Sequence, residues 1–146
     1  MWRNLGIAYA FRKDTPRAID ALRQAVRRNP DYRDAWLRMG RLYAASGRFG
    51  EAVGCFRESV RIRPADAAAW TDLGNAYDDL GRPDEAITSY HQALRIDPGL
   101  VIAWQNLGAA LAKAGKREDA MAVYVRLRQI APEEARWLLA RIESGR

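Results

Sequence analysis

Residues 70–77 read WTDLGNAY. Trp70, Leu73, Gly74 and Tyr77 stand at i, i+3, i+4 and i+7, which is one face of an α-helix. A related stretch, WLRMGRLY, precedes it at 36–43. Trp36 lies 34 residues before Trp70, Trp104 lies 34 after it, and Trp2 completes the series. Self-similarity at such a period marks an array of supersecondary units, so the repeat has to be read before any local feature.

The same register recurs at other residue types. Small residues return as Gly6, Gly40, Gly74 and Gly108 and as Ala18, Ala52, Ala86 and Ala120. Larger side chains return as Leu22, Phe56, Tyr90 and Tyr124, and prolines as Pro30, Pro64, Pro98 and Pro132. After a break at Leu80-Gly81-Arg82-Pro83, Ala86, Ile87, Tyr90, Ala93 and Leu94 form a second helical face. Gly81 suits the left-handed residue that ends the first helix, and Pro83 suits the first turn of the next. Asp84 and Glu85 complement the dipole at the start of that second helix and Arg95 does so at its end, before Asp97-Pro98 stops it. Each unit is thus a helical hairpin whose small residues sit where the two helices come closest.

This pattern resembles the tetratricopeptide repeat (TPR) family, whose 34-residue hairpins carry Trp, Leu-Gly and Tyr in the first helix. A small residue and an aromatic follow in the second helix, and a proline closes the unit. AAAWTDLGNAYDDLGRPDEAITSYHQALRIDPGL, residues 67–100, matches nearly throughout. The resemblance implies an all-α, right-handed superhelical solenoid of antiparallel helix hairpins in one domain, 1–146, with units 1–32 (truncated at the start), 33–66, 67–100 and 101–134. The tail EEARWLLARIES predicts a ninth helix over 133–144, with Ala135, Leu138, Leu139 and Ile142 on the face that caps the last hairpin. Departures from the pattern also stand out. Lys13 replaces the glycine found at 47, 81 and 115, Leu111 replaces the tyrosine, and Leu127-Arg128 replaces pairs such as Ala93-Leu94. The arginine predicts looser packing there.

Composition narrows the function classes. The 146 residues are 49% hydrophobic and 29% charged, and no apolar run is long enough to span a bilayer. MWRNLGIAYAFRKD reads as a helix of the repeat and not as a signal peptide, although the abrupt start permits a fragment of a longer array. A lone Cys55 rules out an intramolecular disulfide and a cysteine-based metal site, and fits a reducing, cytoplasmic location. The net charge of +6 is uneven: units 1 and 2 carry +4 and +3, unit 3 carries −4 and unit 4 +1. A uniformly basic nucleic-acid binder would not be divided in this way.

An enzyme reading lacks parts, and no cofactor or metal is expected. His91 falls on the outward side of a second helix, Cys55 reads as a partly buried structural thiol beside Phe56, and Asp78-Asp79 and Glu133-Glu134 splay apart as helical neighbours. Trp36, Trp70 and Trp104 keep the phase of packing residues, whereas Trp2 and Trp137, near the ends of the array, are expected to be partly exposed. Arg23, Arg27, Arg57, Arg61 and Arg95 recur on the outer face of the second helices without interleaved aromatics, so they read as solubilising helix-end cations ahead of a nucleic-acid ridge.

The family resemblance implies a concave groove, lined by the first helices, that binds extended or helical segments of partner proteins. By register its groove-facing candidates are Arg3, Asn4, Arg38, Arg41, Thr71, Asp72, Asn75, Asp78, Gln105, Asn106 and Lys113. Asn and Gln can pair both backbone groups of a peptide, and Arg can take a carboxylate bidentately. The carboxylate clamp of the family's chaperone-tail binders is absent. Its positions hold Arg3, Ile7, Arg38, Ala68 and Asp72 in one frame, and Leu37, Arg41, Asp72, Ile102 and Asn106 in the next. The expected function is therefore non-catalytic protein–protein interaction with a peptide or protein partner of unspecified identity and no membrane insertion. The alternatives are a self-assembling scaffold, in which basic units 1–2 of one copy meet acidic unit 3 of another, and nucleic-acid binding on the arginine ridge.

Overall fold

A computed structural model of the chain describes residues 14–144, and these form eight α-helices with no strand among them. The expected first helix lies outside the described residues. The chain divides between Ala65 and Asp66 into two compact units.

In the first unit, helix α1 (Thr15–Arg28) is followed by the hairpin of α2 (Arg33–Ala45) and α3 (Phe49–Ile62). Asp14 caps α1 by accepting a hydrogen bond from the Arg17 backbone N–H, and Pro16 sits in the first turn. Ala18, Leu22, Leu37, Tyr43, Phe56 and Val60 belong to the core. The Phe56 ring lies against the α2 backbone at Gly40, where an added Cβ would come within 2.6 Å of Phe56 Cε1. That contact accounts for the recurring small residue.

The second unit holds the hairpin of α4 (Ala67–Asp79) and α5 (Pro83–Ile96), the hairpin of α6 (Val101–Lys113) and α7 (Arg117–Ile130), and α8 (Pro132–Ser144). Its core runs from Ala86 and Tyr90 through Leu107 and Val123 to Leu138 and Ile142, with Trp70 and Trp104 packed against it.

Three hairpins turn in the same way. Gly47, Gly81 and Gly115 have φ of 71°, 77° and 74°, a region in which a Cβ is strained. In each turn the amide that follows the glycine reaches back to the first helix: Arg48 to Tyr43 at 2.9 Å, Arg82 to Tyr77 at 2.8 Å and Lys116 to Leu111 at 2.9 Å. Where the first helix ends in tyrosine, the arginine guanidinium also stacks on the ring, at 4.7 Å for Arg48 on Tyr43 and 5.1 Å for Arg82 on Tyr77. Leu111 removes that partner in the last hairpin, and Lys116 binds Asp84 at 2.9 Å instead.

The repeating Trp and Pro are linked in two units by one bond. The indole Nε1 of Trp36 donates to the Pro30 carbonyl at 2.7 Å, and that of Trp104 to the Pro98 carbonyl at 2.8 Å. The rings are half-buried, each tying the preceding turn to the start of its helix.

The last hairpin departs from the repeat in the direction its sequence suggests. On α5 the buried set includes Ile87, Ser89, Tyr90 and Leu94, whereas α7 buries only Ala120, Val123 and Leu127. Tyr124 is half-buried, Arg128 is exposed, and the arginine lies over the tyrosine ring at 5.9 Å. Gly108 meets the Leu138 side chain of α8 and Val123, in place of the ring that Gly40 and Gly74 meet. As expected, α8 covers this end with Ala135, Leu138 and Ile142 buried and Leu139 half-buried, and Arg117 donates to the Ile142 carbonyl at 2.9 Å.

Candidate peptide-binding face

On α6, Ile102, Asn106, Ala109 and Lys113 follow one another at steps of three and four, so they share a face. Asn75, Asp78 and Asp79 occupy the C-terminal half of α4, and that helix lies beside α6. Together with Tyr90 they line a shallow pocket of about 380 Å³.

A buried tyrosine organises this pocket. Gly74 lets the Tyr90 ring lie directly on the α4 backbone, and the Tyr90 hydroxyl then donates to Asn75 Oδ1 at 2.8 Å. The same oxygen accepts a second bond from Asn106 Nδ2 at 2.7 Å. Two donors on one carbonyl fix the orientation of the Asn75 amide and leave its NH₂ to donate elsewhere. Burial raises the Tyr90 phenol pKa well above its ordinary value, and the charges of Asp78 and Asp79 add to the effect, so the hydroxyl stays a donor. Next to this network, Lys113 Nζ pairs with Asp78 Oδ1 at 3.1 Å.

The structure thus brings four of the sequence-derived candidates, Asn75, Asp78, Asn106 and Lys113, into two bonded pairs. Gln105 and Asp72 are half-buried on the same two helices, and Arg38 and Arg41 are exposed on α2 in the first unit. Thr71 is different: it is only 5% exposed and its hydroxyl donates to the Ala67 carbonyl at 2.9 Å, so it faces the interior and offers nothing to a ligand. Arg3 and Asn4, like Trp2, Ile7 and Lys13, lie outside the described residues.

Sequence reasoning missed Tyr90 and Ile102. Tyr90 reads as a packing residue, and the signal of a second role is its hydroxyl, which Phe56 lacks at the matching position of the second repeat, 33–66. Ile102 stands one turn before Asn106 and is 48% exposed; the clamp frame places it in the groove, but only as a residue unable to bind a carboxylate.

Other expectations meet mixed outcomes. Cys55 is more deeply buried than expected, and burial pushes its thiol up to about 12, which keeps it protonated and unreactive. Trp137 is 49% exposed. His91 is exposed, but it also stands on the rim of a cleft of about 440 Å³ floored by Ile87, Trp104, Leu107, Leu111 and Val123. Two cations on that rim are engaged, Lys116 by Asp84 at 2.9 Å and Arg126 by Gln129 at 3.2 Å. The outer arginines are not a uniform ridge either: Arg23 donates to the Tyr43 hydroxyl at 2.9 Å, and Arg61 pairs with Glu58 at 2.8 Å and Asp31 at 3.1 Å. Among the described helices none is long and apolar enough to cross a membrane.

Among solved structures the chain is similar to a crystal structure of MamA, with 19% identity and a TM-score of 0.84 over 97% of this chain and 94% of that one. MamA from Desulfovibrio magneticus RS-1 (41 to the end) aligns at 23% identity and a TM-score of 0.82, covering 90% and 75% of the two chains. YrrB, described as a TPR protein with an unusual peptide-binding site, aligns at 16% identity and a TM-score of 0.80, covering 99% and 84%. Such identities establish the fold alone. No curated protein matches the chain by sequence. Family profiles described as tetratricopeptide repeat match residues 3–67, 37–101 and 79–142. With the period, the glycine turns and the hairpin packing all in agreement, the chain belongs to the tetratricopeptide repeat family.

Proposed function

We propose that the protein is a non-catalytic interaction module that binds an extended or helical segment of a partner protein along its first helices. The supporting observation is the face formed by α4 and α6, where Asn75 and Asn106 are held in fixed orientation beside the exposed Ile102. With the Asn75 carbonyl engaged, the Asn75 NH₂ can donate to a peptide carbonyl and the Asn106 carbonyl can accept from a peptide N–H, while an apolar side chain next to them rewards a matching contact. Gln105 and Asp72 extend this face, and Arg38 and Arg41 give the first unit an exposed basic surface suited to acidic side chains. YrrB, which shares the fold, is itself described as having a peptide-binding site.

Selection from a random peptide display library tests the reading. The wild type is expected to enrich binders that Asn106→Ala loses, with the fold retained by circular dichroism. Peptides that survive Asn106→Ala would remove the face on α4 and α6 from consideration, and peptides that survive the double reversal Arg38→Glu/Arg41→Glu would remove the basic surface of α2. Losses from the reversal should shrink at high salt, because exposed charges are screened there.

The division of charge between the basic first two repeats and the acidic third supports self-association as the alternative. Sedimentation velocity at several concentrations separates it from peptide binding, since only self-association responds to concentration without added ligand. Nucleic-acid binding is the third reading, and the bonds that occupy Arg23 and Arg61 weigh against it.

A further inference from the structure

The Asp78–Lys113 pair has a consequence for what the pocket on α4 and α6 accepts. Its lining is unbalanced. Among the described residues its only charged lining is acidic: Asp78 and Asp79 contribute four carboxylate oxygens, one of them bound by Lys113, beside the neutral side chains of Asn75, Tyr90 and Asn106. Both acids also sit at the C-terminal end of α4, where the helix dipole adds negative potential. Burial first, and then the charges of these two acids, hold the Tyr90 phenol pKa above its ordinary value.

Into this field the chain inserts its own cation. Lys113 reaches from the following repeat to within 3.1 Å of Asp78 Oδ1, while its side chain stays 54% exposed. A pair that exposed contributes little to stability, and a flexible ammonium can leave it readily. Ile102 supplies an apolar surface along which the methylene stem of another lysine or arginine can lie.

We propose that the Asp78–Asp79 end of the pocket is a subsite for a basic side chain of the bound segment, and that Lys113 holds its place when no segment is bound. The inference rests on the peptide-binding reading above and adds the charge of the residue selected. It also gives Lys113 a role opposite to that of a ligand contact. As a competitor of like charge, it weakens the binding of a basic residue.

A peptide array tests this with defined probes. Nine-residue peptides carry Lys, Arg, norleucine or Glu at one position in turn, with equimolar mixtures elsewhere, and are read with wild type, Asp79→Asn and Lys113→Met. The expected result is one position at which Lys and Arg exceed norleucine by about two- to fivefold, the range of a solvent-exposed ion pair. Asp79→Asn should reduce that preference and Lys113→Met should increase it, at an unchanged melting temperature. If Lys113→Met weakens binding or leaves it as it was, the pair is only a link between repeats and the placeholder role is overturned. Retention of peptides by the wild type with no basic preference overturns the subsite alone and leaves the peptide-binding reading standing. No retention of any peptide overturns both.

Discussion

Replacing Gly74 by alanine should destabilise the protein, although alanine is the better helix former. A Cβ placed there lies 2.5 Å from Cε1 and 2.7 Å from Cδ1 of Tyr90, about 1 Å inside ordinary carbon–carbon contact. The ring has nowhere to go. Tyr90 is 2% exposed, and its hydroxyl is anchored on Asn75. Overpacking of this kind costs about 1–3 kcal/mol, and a displaced ring also forfeits a hydrogen bond worth about 1 kcal/mol. Against this stands a propensity gain of about 1 kcal/mol. The net expectation is a loss of about 1–3 kcal/mol. Gly54 supplies the control: it is exposed within α3, with nothing within 4 Å of an added Cβ. Gly54→Ala should therefore stabilise by up to about 1 kcal/mol. The two variants then differ by about 1–4 kcal/mol, and at about 2–4 °C per kcal/mol for a chain of this size thermal denaturation followed by circular dichroism should separate them by roughly 2–16 °C. Gly74→Leu should fall further still. If Gly74→Ala melts with or above Gly54→Ala, the ring does not rest on the α4 backbone, and the account of both the repeating glycine and the Tyr90–Asn75 bond fails.

Three further outcomes can be checked by standard measurements. Deleting residues 135–146 removes the buried Ala135, Leu138 and Ile142 of α8 and uncovers the last hairpin; at about 1.5–3 kcal/mol for each large side chain the melting temperature should drop and self-association appear in sedimentation, and an unchanged monomer would show that α8 is not a cap. Gly81→Ala, at a φ of 77°, should cost about 1–2 kcal/mol in denaturant melts despite open space around the site, and a neutral result would contradict the left-handed turn. The Cys55 thiol is raised from 9.0 to about 12, so the folded state holds its proton more tightly than the unfolded state does. Its contribution to stability is complete below pH 9 and declines as pH rises through the interval to about 12, and under reducing conditions Cys55→Ala should flatten that decline.

What the sequence determined by itself was the hairpin array. The 34-residue period, the i, i+3, i+4 spacing and the glycine turns are local properties of the chain, set by helix geometry and by the steric limits on φ. They are legible without knowing any contact, and the positive φ of Gly47, Gly81 and Gly115 follows from them. The last hairpin was legible only in part: Leu127 and Arg128 marked a departure, but that Leu138 would fill the place against Gly108 depends on how α8 docks. The candidate face was harder again. Register placed Thr71 beside Asp72 and Asn75 among the groove residues, yet a helix position alone does not say how much a neighbouring helix covers, and Thr71 is buried. The bonds that make the pocket join residues 31 and 35 positions apart, Asn106 to Asn75 and Lys113 to Asp78. Side chains that far apart meet only when two helices pack at a particular distance and rotation. Gly74 admitting the Tyr90 ring fixes only the Asn75 side of that arrangement, and the arrangement exists only in the folded protein.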